Sequence, residues 1–192
     1  MAPTPHTTEA ADPSSTDTAT LPEIKIRSYW ADDHKQVLEV VTEGLMEYSK
    51  VEGQSLEFWN NYMDRSLRGD LADLEGIYFG SGGHFWVATT VEDGEEVVVG
   101  TIGLEAKADG EAKLRRMSVK EEYRRFGIGR QLVKVLEDWA VANKIRKVWL
   151  SSGFVMKNSH RFYRNLGYKQ FKVEVYCEDP YFELFFFEKT LT

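Results

Sequence analysis

Apolar positions along the chain switch between strand spacing and helical spacing, and this pattern predicts an α/β (α+β) fold. Ile24 and Ile26 alternate in a short first strand, and two helices follow in which apolar residues recur at helical spacing. The first helix would bury one face, formed by Val37, Val40, Val41, Leu45 and Tyr48. The second helix begins near Ser55, and its apolar face is Phe58, Trp59, Tyr62, Met63 and Leu67. We interpret this aromatic stripe as core packing, with the wall of a substrate pocket as the alternative.

The middle of the chain has the pattern of an antiparallel meander. Residues 85–91, 97–106 and 112–119 alternate as strands do, and the turn signals Asp93-Gly94 and Asp109-Gly110 separate them. An amphipathic helix comes next, with Leu132, Val133, Leu136, Trp139 and Ala140 on one face. Residues 147–152 predict a further strand, which the helical crossover would place parallel to its predecessor.

The two ends of the chain differ in character. Near the C-terminus the pattern predicts a helix over residues 158–166 and two strands, and Gly167 offers a left-handed C-cap to that helix. Residues 1–22 are rich in Thr, Ala, Ser, Pro and Asp and lack apolar periodicity, so we predict a disordered tail. The remaining residues, 23–192, are predicted to form one domain.

Composition excludes several classes of function. A net charge of −7 argues against nucleic acid as a partner, and it makes a cationic substrate such as an amine somewhat more favourable. Cys177 is the only cysteine, so an internal disulfide is excluded and we expect no metal site. No apolar run has the length of a membrane span, and no secretory or mitochondrial signal is present. We therefore expect no membrane association and a cytoplasmic or nucleocytoplasmic location.

Residues 113–130 carry the strongest chemical signal in the chain. A strand ending at Val119 is followed by a charged turn, and Gly127 and Gly129 then open a helix. Free N–H groups at a helix start bind anions, and glycines let the main chain approach a phosphate closely. Positive charge around the turn would come from Arg124, Arg125 and Arg130. The turn is neither a dinucleotide-binding motif, which would need a small residue at Leu132, nor a P-loop.

Five segments, including this turn, follow one another along the chain in a characteristic order. They are the strand Leu114-Arg115-Arg116-Met117-Ser118-Val119, the turn Tyr123-Arg124-Arg125-Phe126-Gly127-Ile128-Gly129, the helix end Glu137-Asp138-Trp139-Ala140, the strand Val148-Trp149-Leu150 and the segment Arg161-Phe162-Tyr163-Arg164-Asn165-Leu166-Gly167-Tyr168. Over about residues 22–190 this arrangement resembles the GNAT superfamily of acetyl-CoA-dependent N-acetyltransferases.

The resemblance implies a fold and a cofactor site. The fold would be the GNAT acyl-CoA N-acyltransferase fold, a mixed, mostly antiparallel sheet of six to seven strands, splayed between its fourth and fifth strands and flanked by about four helices. Acetyl-CoA would lie in the opening, with main-chain groups of Met117, Ser118 and Val119 along its pantetheine arm. The pyrophosphate would be held by Arg124, Arg125, Phe126, Gly127, Ile128, Gly129 and Arg130. Asn158 is a further candidate contact, because Met156 stands where many relatives carry an asparagine.

The resemblance also implies catalytic roles. Tyr163 matches the tyrosine that protonates the departing thiolate. The acceptor must attack as a neutral amine, so a base is expected; Arg115 stands at one common place for a glutamate, and our candidate is Glu105 on the preceding strand. A plain surface charge is the alternative interpretation of Glu105, and Glu111 is a weaker choice for the base.

Two classes of function stay open at this point. The first is an N-acetyltransferase acting on a primary amine of a small molecule, or on a lysine or N-terminus of a peptide or protein. The second is a non-catalytic acetyl-CoA-binding or sensing module that acts through protein interaction. A homodimer is compatible with either. His84 and His160 are interpreted as structural or surface residues.

Overall fold

A computed structural model describes residues 23–192, and the predicted tail at residues 1–22 lies outside the described residues. The strands and helices follow one another as β1 (Lys25–Ser28), α1 (His34–Met46), α2 (Leu56–Arg68), β2 (His84–Glu92), β3 (Glu95–Ala106), β4 (Glu111–Val119), α3 (Ile128–Ala142), β5 (Lys147–Gly153), α4 (Lys157–Asn165), β6 (Lys169–Glu178) and β7 (Tyr181–Thr190). A 3-10 turn at Glu47–Lys50 follows α1, and a π-helical turn at Glu75–Phe79 precedes β2. In the described part of the chain no helix combines the length and the apolar character that a membrane crossing requires.

All strands within residues 23–192 belong to one seven-stranded sheet in the order β1-β2-β3-β4-β5-β7-β6. Only β4 and β5 run parallel, and α3 connects them, while every other neighbouring pair is antiparallel. The predicted meander, crossover and mixed sheet are therefore confirmed. Gly167 follows the C-cap residue Leu166 of α4 and has a φ of 90°, as a left-handed cap does.

The sheet opens between β4 and β5. These strands pair at three positions only, and the last pair is Lys113 with Trp149. Beyond it β4 also carries a bulge, because Thr101 lies opposite Ser118 whereas Gly103 lies opposite Arg115. The expected splay between the fourth and fifth strands is thus present, and it leaves one edge of β4 without a neighbouring strand.

Three apolar clusters hold the helices to the sheet. The first, beneath α3 and α4, includes Ile102, Leu104, Leu114, Leu132, Leu136, Leu150, Tyr163 and Phe187. The second, beneath α1 on the other face, includes Val37, Val40, Val41, Tyr78, Phe85 and Val87. The third joins α2 to β7 through Phe58, Trp59 and Phe182. The core-packing interpretation of the α2 stripe is confirmed for Phe58, Trp59 and Met63, whereas Leu67 is exposed.

Candidate active site

The turn before α3 presents a row of free main-chain donors. Arg125 and Gly127 both have left-handed φ values, 73° and 79°, and Gly127 is the N-cap of the 15-residue helix α3. The first bond of the helix runs from the N–H of Gln131 to the carbonyl of Gly127 at 3.1 Å, and within residues 23–192 no backbone carbonyl accepts from the N–H groups of residues 125–130. Consecutive free N–H groups at a helix start form a concave anion site.

The two glycines of this turn serve different ends. A Cβ on Gly127 would meet nothing within 4 Å, so its left-handed backbone is the reason for glycine there. A Cβ on Gly129 would lie 2.8 Å from Cε of Met117 and 3.4 Å from the ring of Phe162. Gly129 therefore lets α3 pack closely against β4 and α4, next to the opening in the sheet.

The arginines of the turn are not equivalent. Arg124 is already engaged: its Nη1 donates to Oε2 of Glu47 at 2.8 Å, and its Nε donates to the carbonyl of Val119 at 2.9 Å. The hydrogen bonds that Arg124 donates to the Glu47 carboxylate raise the pKa of Arg124 above its ordinary value. Arg125, Phe126 and Arg130 are exposed at the turn, whereas the Ile128 side chain is buried. Ile128 can therefore offer only its backbone to a ligand.

The free edge of β4 offers main-chain groups to the opening. Lys120 N–H donates to the carbonyl of Val99 at 2.9 Å, so the next pair, Gly100 with Val119, is a non-hydrogen-bonded pair. The N–H and carbonyl of Val119 consequently point away from β3 and into the opening. The Ser118 hydroxyl instead donates to the carbonyl of Val40 at 3.0 Å and ties α1 to the strand.

Tyr163 lies on α4 with its ring packed against aromatic neighbours. The ring centroids of Phe162 and Tyr168 are 5.3 and 5.7 Å away, and the side chain is only 6% exposed. Burial, and secondly the nearby charge of Tyr48, raise the pKa of Tyr163 above its ordinary value of 10.0. The phenol therefore keeps its proton at neutral pH and can donate it to a developing anion.

Tyr48 was not identified as a site residue from the sequence, because its spacing assigned it to the buried face of α1. In the structure it lies in the 3-10 turn after α1, where its hydroxyl is 3.4 Å from Oγ of Ser159 on α4. Its ring stacks on Trp59 at 5.9 Å. The preceding residue, Glu47, contacts Arg124, so two adjacent residues contact the two sides of the opening.

Asn158 and His160 occupy different environments on α4. Asn158 is exposed, and its Oδ1 accepts from Nη2 of Arg161 at 2.9 Å. It stays a predicted cofactor contact. His160 is buried and stacks on Phe185 with a centroid distance of 5.0 Å, and burial lowers its pKa below the ordinary 6.5. His84 accepts or donates a 2.8 Å hydrogen bond with Ser28 far from the turn, which agrees with a structural role.

Glu105 does not face solvent freely, because its side chain is 17% exposed and paired with cations. Its Oε2 accepts from Nη1 of Arg115 at 3.1 Å, and its other oxygen pairs with Lys107. Burial would raise the pKa of Glu105, but the hydrogen bond from Lys107 and the charge of Arg115 hold it below its ordinary value. The carboxylate is therefore ionised and ready to accept a proton, but it is a weak base.

Asp70 lies beside Glu105 and is the buried centre of the same ion-pair cluster, and sequence reasoning missed it. It accepts from the Tyr78 hydroxyl at 2.6 Å, from Nε of Arg116 at 2.8 Å and from Nη2 of Arg115 at 2.9 Å. The adjacent arginines in β4 were the available signal, since a buried arginine in a strand needs an anionic partner. Within the described residues no group of three or more His, Cys, Asp or Glu side chains is arranged to hold a metal ion.

The sequence is similar to those of known acetyltransferases. The model of the Acetyltransferase (GNAT) family matches residues 45–168. N-acetylaspartate synthetase of Danio rerio is 34% identical over 112 residues, which are 57% of this chain and 38% of that protein. A probable N-acetyltransferase camello of Xenopus tropicalis is 35% identical over 114 residues, covering 58% of this chain and 50% of the relative. The chain thus spans about half, or less, of the length of these curated relatives.

Solved structures show the same fold. An acetyltransferase of the GNAT family from Staphylococcus aureus Mu50 superposes with a TM-score of 0.70 at 21% identity, covering 88% of this chain and 100% of the other. The PaiA N-acetyltransferase from Thermoplasma acidophilum, solved in complex with coenzyme A, gives a TM-score of 0.67 at 22% identity, with 88% and 99% coverage.

Proposed function

Because this chain belongs to the Acetyltransferase (GNAT) family, we propose that it is an acetyl-CoA-dependent N-acetyltransferase that moves an acetyl group to a primary amine. The observation that carries the proposal is the opening between β4 and β5, which has free main-chain groups along one edge and an anion site at its end. A long ligand with a phosphorylated end fits this arrangement.

The residues of the opening suit acetyl-CoA in two respects. The free N–H groups of residues 125–130 match the charge and the acceptor oxygens of a pyrophosphate. The N–H and carbonyl of Val119 match the amides of a pantetheine arm, which would take the place of the missing strand. Arg125 and Arg130 add positive charge at the surface of the turn.

Acetyl-CoA supplies an activated thioester, whose acyl carbon accepts the amine. The chain contributes positioning and proton transfer to this reaction. Main-chain N–H groups of β4 near Met117 polarise the acyl carbonyl, because an unpaired donor costs no rearrangement when negative charge develops on the oxygen. Tyr163 gives its proton to the departing thiolate; burial keeps the phenol protonated at neutral pH, but the raised pKa also makes it a weaker acid.

The acceptor must lose a proton before it attacks. An amine with a pKa of about 10.4 is only about one part in a thousand neutral near pH 7.4, which costs roughly 4 kcal/mol. Glu105 is the candidate base from the sequence, and its ionised state allows the role. Because its pKa lies below the ordinary value, its driving force for proton removal is small.

Two measurements test the proposal together. Release of coenzyme A is followed with acetyl-CoA and a panel of amines, amino acids and basic peptides, and acetyl-CoA binding is measured by calorimetry. We expect micromolar binding and amine-dependent release. Binding without release for any amine would favour the non-catalytic sensing module.

A cytoplasmic location and a homodimer are further parts of the proposal. Fractionation of cells that produce the full-length protein tests the first, and light scattering of the purified protein tests the second.

A further inference from the structure

A cluster of cations lies on the sheet face opposite α3 and α4, and its charges do not balance. Arg116 and Arg115 pair with Asp70, and Arg115 and Lys107 pair with Glu105. Lys113 lies near these groups, and their charges act on its pKa. With Lys113 included, the cluster has four cations and two carboxylates. Two positive charges are therefore uncompensated, in a chain whose net charge is −7.

Lys113 is the least satisfied member of the cluster. Its side chain is largely withdrawn from solvent, its Nζ lies 5.0 Å from the centroid of the Trp149 ring, and within residues 23–192 it forms no ion pair. Burial and the charge of Arg115 lower the pKa of Lys113. Glu111 lies two residues before Lys113, and its Oε1 already forms an ion pair with Nζ of Lys147 at 2.6 Å. Lys147 also contacts Glu188, so this neighbouring network carries one negative charge in excess, and the two networks together keep one positive charge uncompensated.

Arg115 is the second member with donors to spare. A guanidinium has five N–H donors, and here one bond goes to Asp70 and one to Glu105. Its side chain is 26% exposed, whereas Arg116 and Asp70 are 8% and 4% exposed. Arg116 therefore neutralises Asp70 inside the protein, and Arg115 remains accessible to a ligand.

The position of Lys113 and Arg115 separates them from the pyrophosphate site. Lys113 belongs to the last β4–β5 pair, so it lies where the two strands begin to diverge, and Arg115 is the next residue on the same strand face. Four residues of strand, roughly 13 Å, separate Arg115 from Val119 and the turn beyond it. The cations thus lie at the closed end of the opening, and the anion site of the turn lies at the other end.

We propose that Lys113 and Arg115 bind a carboxylate of the acceptor, so that the acceptor is an amine that also carries a carboxylate, such as a free amino acid. The inference rests on the proposed transferase function. It adds an anionic group to the cationic amine that the net charge favoured. The N–H donors that Arg115 keeps beyond its bonds to Glu105 and Asp70, together with the ammonium of Lys113, suit a carboxylate oxygen.

A substrate panel tests the inference in the wild-type protein. Acceptors are L-aspartate, L-glutamate and S-methyl-L-cysteine, their α-amides, phosphoethanolamine and spermidine, each with acetyl-CoA. We expect at least one carboxylate acceptor to have a kcat/KM 10-fold or more above that of its amide and of spermidine. Equal or better use of the amides or of spermidine, or a preference for phosphoethanolamine, would overturn the assignment.

Variants then locate the site. Lys113→Met and Arg115→Met are each expected to raise the KM for the carboxylate acceptor about 10- to 100-fold, as loss of a charge-assisted hydrogen bond does, with the KM for acetyl-CoA unchanged. Lys113→Arg keeps the charge and should retain most of the affinity. Lys35→Met, which removes a lysine 89% exposed on α1, is the matched control. If Lys113→Met and Lys113→Arg instead lowered kcat equally for every acceptor, Lys113 would be a proton-transfer group and the inference would be wrong.

Failure of this inference and failure of the proposed function look different. Release of coenzyme A from amines regardless of a carboxylate refutes only the inference, whereas absence of both acetyl-CoA binding and release refutes the function. If the protein binds acetyl-CoA but no acceptor reacts, calorimetry of the three amino acids on the protein saturated with coenzyme A decides. Heat that is lost in the Lys113→Met/Arg115→Met double variant supports the site, and no heat with any of them rejects it.

Discussion

The protonation and the ion pairing of each site residue depend on the residues that the fold places around it. Tyr163 retains its proton because α4 buries it, and Arg116 is tolerated inside the protein because Asp70 is buried with it. Glu105 has two cationic partners that its strand pattern does not reveal. The effect of replacing one residue therefore depends on which interactions remain for its partner.

Replacement of Tyr163 by Phe should slow acetyl transfer without weakening the cofactor site. The ring packing against Phe162 and Tyr168 is kept, and only the proton donor is lost. We expect kcat to fall about 10²- to 10⁴-fold, as for loss of a general acid, and the Kd for acetyl-CoA to change less than about threefold. If the variant turned over as fast as the wild type at every pH from 6 to 9, Tyr163 would have no part in the mechanism.

Arg116 and Arg115 should differ in their contribution to stability. Arg116→Met leaves Asp70 buried with a weaker partner, and we expect a loss of about 3–5 kcal/mol in the free energy of unfolding. Arg115→Met leaves Arg116 on Asp70 and Lys107 on Glu105, so the loss should stay near 1 kcal/mol. Denaturant titration of both variants measures the difference, and equal losses would contradict the closed Arg116–Asp70 pair.

The same pair predicts a dependence of stability on pH. Burial would raise the pKa of Asp70, but the hydrogen bond and charge of Arg116 hold it below its ordinary 3.8. A depressed carboxyl pKa stabilises the fold above the ordinary value and ceases to do so as the pH falls through the folded-state value. Denaturant titrations between pH 2 and 6 should therefore show wild-type stability falling at the acid end of this range. Asp70→Asn should be less stable above pH 4 and show a weaker dependence.

Glu105→Gln distinguishes the base predicted from the sequence from the ion-pair partner seen in the structure. Loss of its charge should leave Arg115 and Lys107 more available to an anion, so we expect a lower KM for a carboxylate acceptor and a kcat within about 10-fold of wild type. Steady-state kinetics at pH 7 and 9 measures both constants. A fall in kcat of two orders of magnitude that is relieved at pH 9 would instead identify Glu105 as the base.

At the scale of elements, the start of α3 and the free edge of β4 form one binding device. The helix supplies N–H groups that it cannot use internally, and the strand supplies groups left over where β5 diverges. Gly127 joins the two by taking a left-handed backbone conformation.

A β-branched residue at Gly127 should weaken acetyl-CoA binding because valine is strained at a φ of 79°. We expect the Kd of Gly127→Val to rise at least 10-fold by calorimetry. Gly94 in the β2–β3 hairpin has a φ of 86° and equally free space for a Cβ, so Gly94→Val is a control with the same strain away from the site. If both variants bind acetyl-CoA as the wild type does, the assignment of the turn is wrong.

The sequence predicted the elements well, and their neighbours less well. Local periodicity placed α3, the meander and the crossover, and the glycines marked the turn, because these depend on residues close together in the chain. The contact of Tyr48 with Ser159 joins residues 111 positions apart, and that of Asp70 with Arg116 joins residues 46 apart. Contacts between side chains that are distant in sequence depend on how the elements pack, and local periodicity does not predict them. The aromatic stripe of α2 was predictable as core for the opposite reason, since burial of one helix face is a local pattern.

At the scale of the whole molecule, the positive character of the opening contrasts with the negative net charge of the chain. The chain carries −7 overall, yet its opening has an anion site at one end and an excess of cations at the other. Net charge alone indicated a cationic acceptor, and it contains no information about this local excess of cations.

The short contact between β4 and β5 has a further consequence. With three pairs joining the two halves of the sheet, little backbone pairing opposes their separation, and a molecule that bonds to both edges would join them more firmly. Ligand present at 100 times its Kd adds about 2.7 kcal/mol to the free energy of unfolding. Because coenzyme A shares the pyrophosphate and the pantetheine arm, saturation with either form of the cofactor should consequently raise the resistance of the purified protein to heat and to proteases.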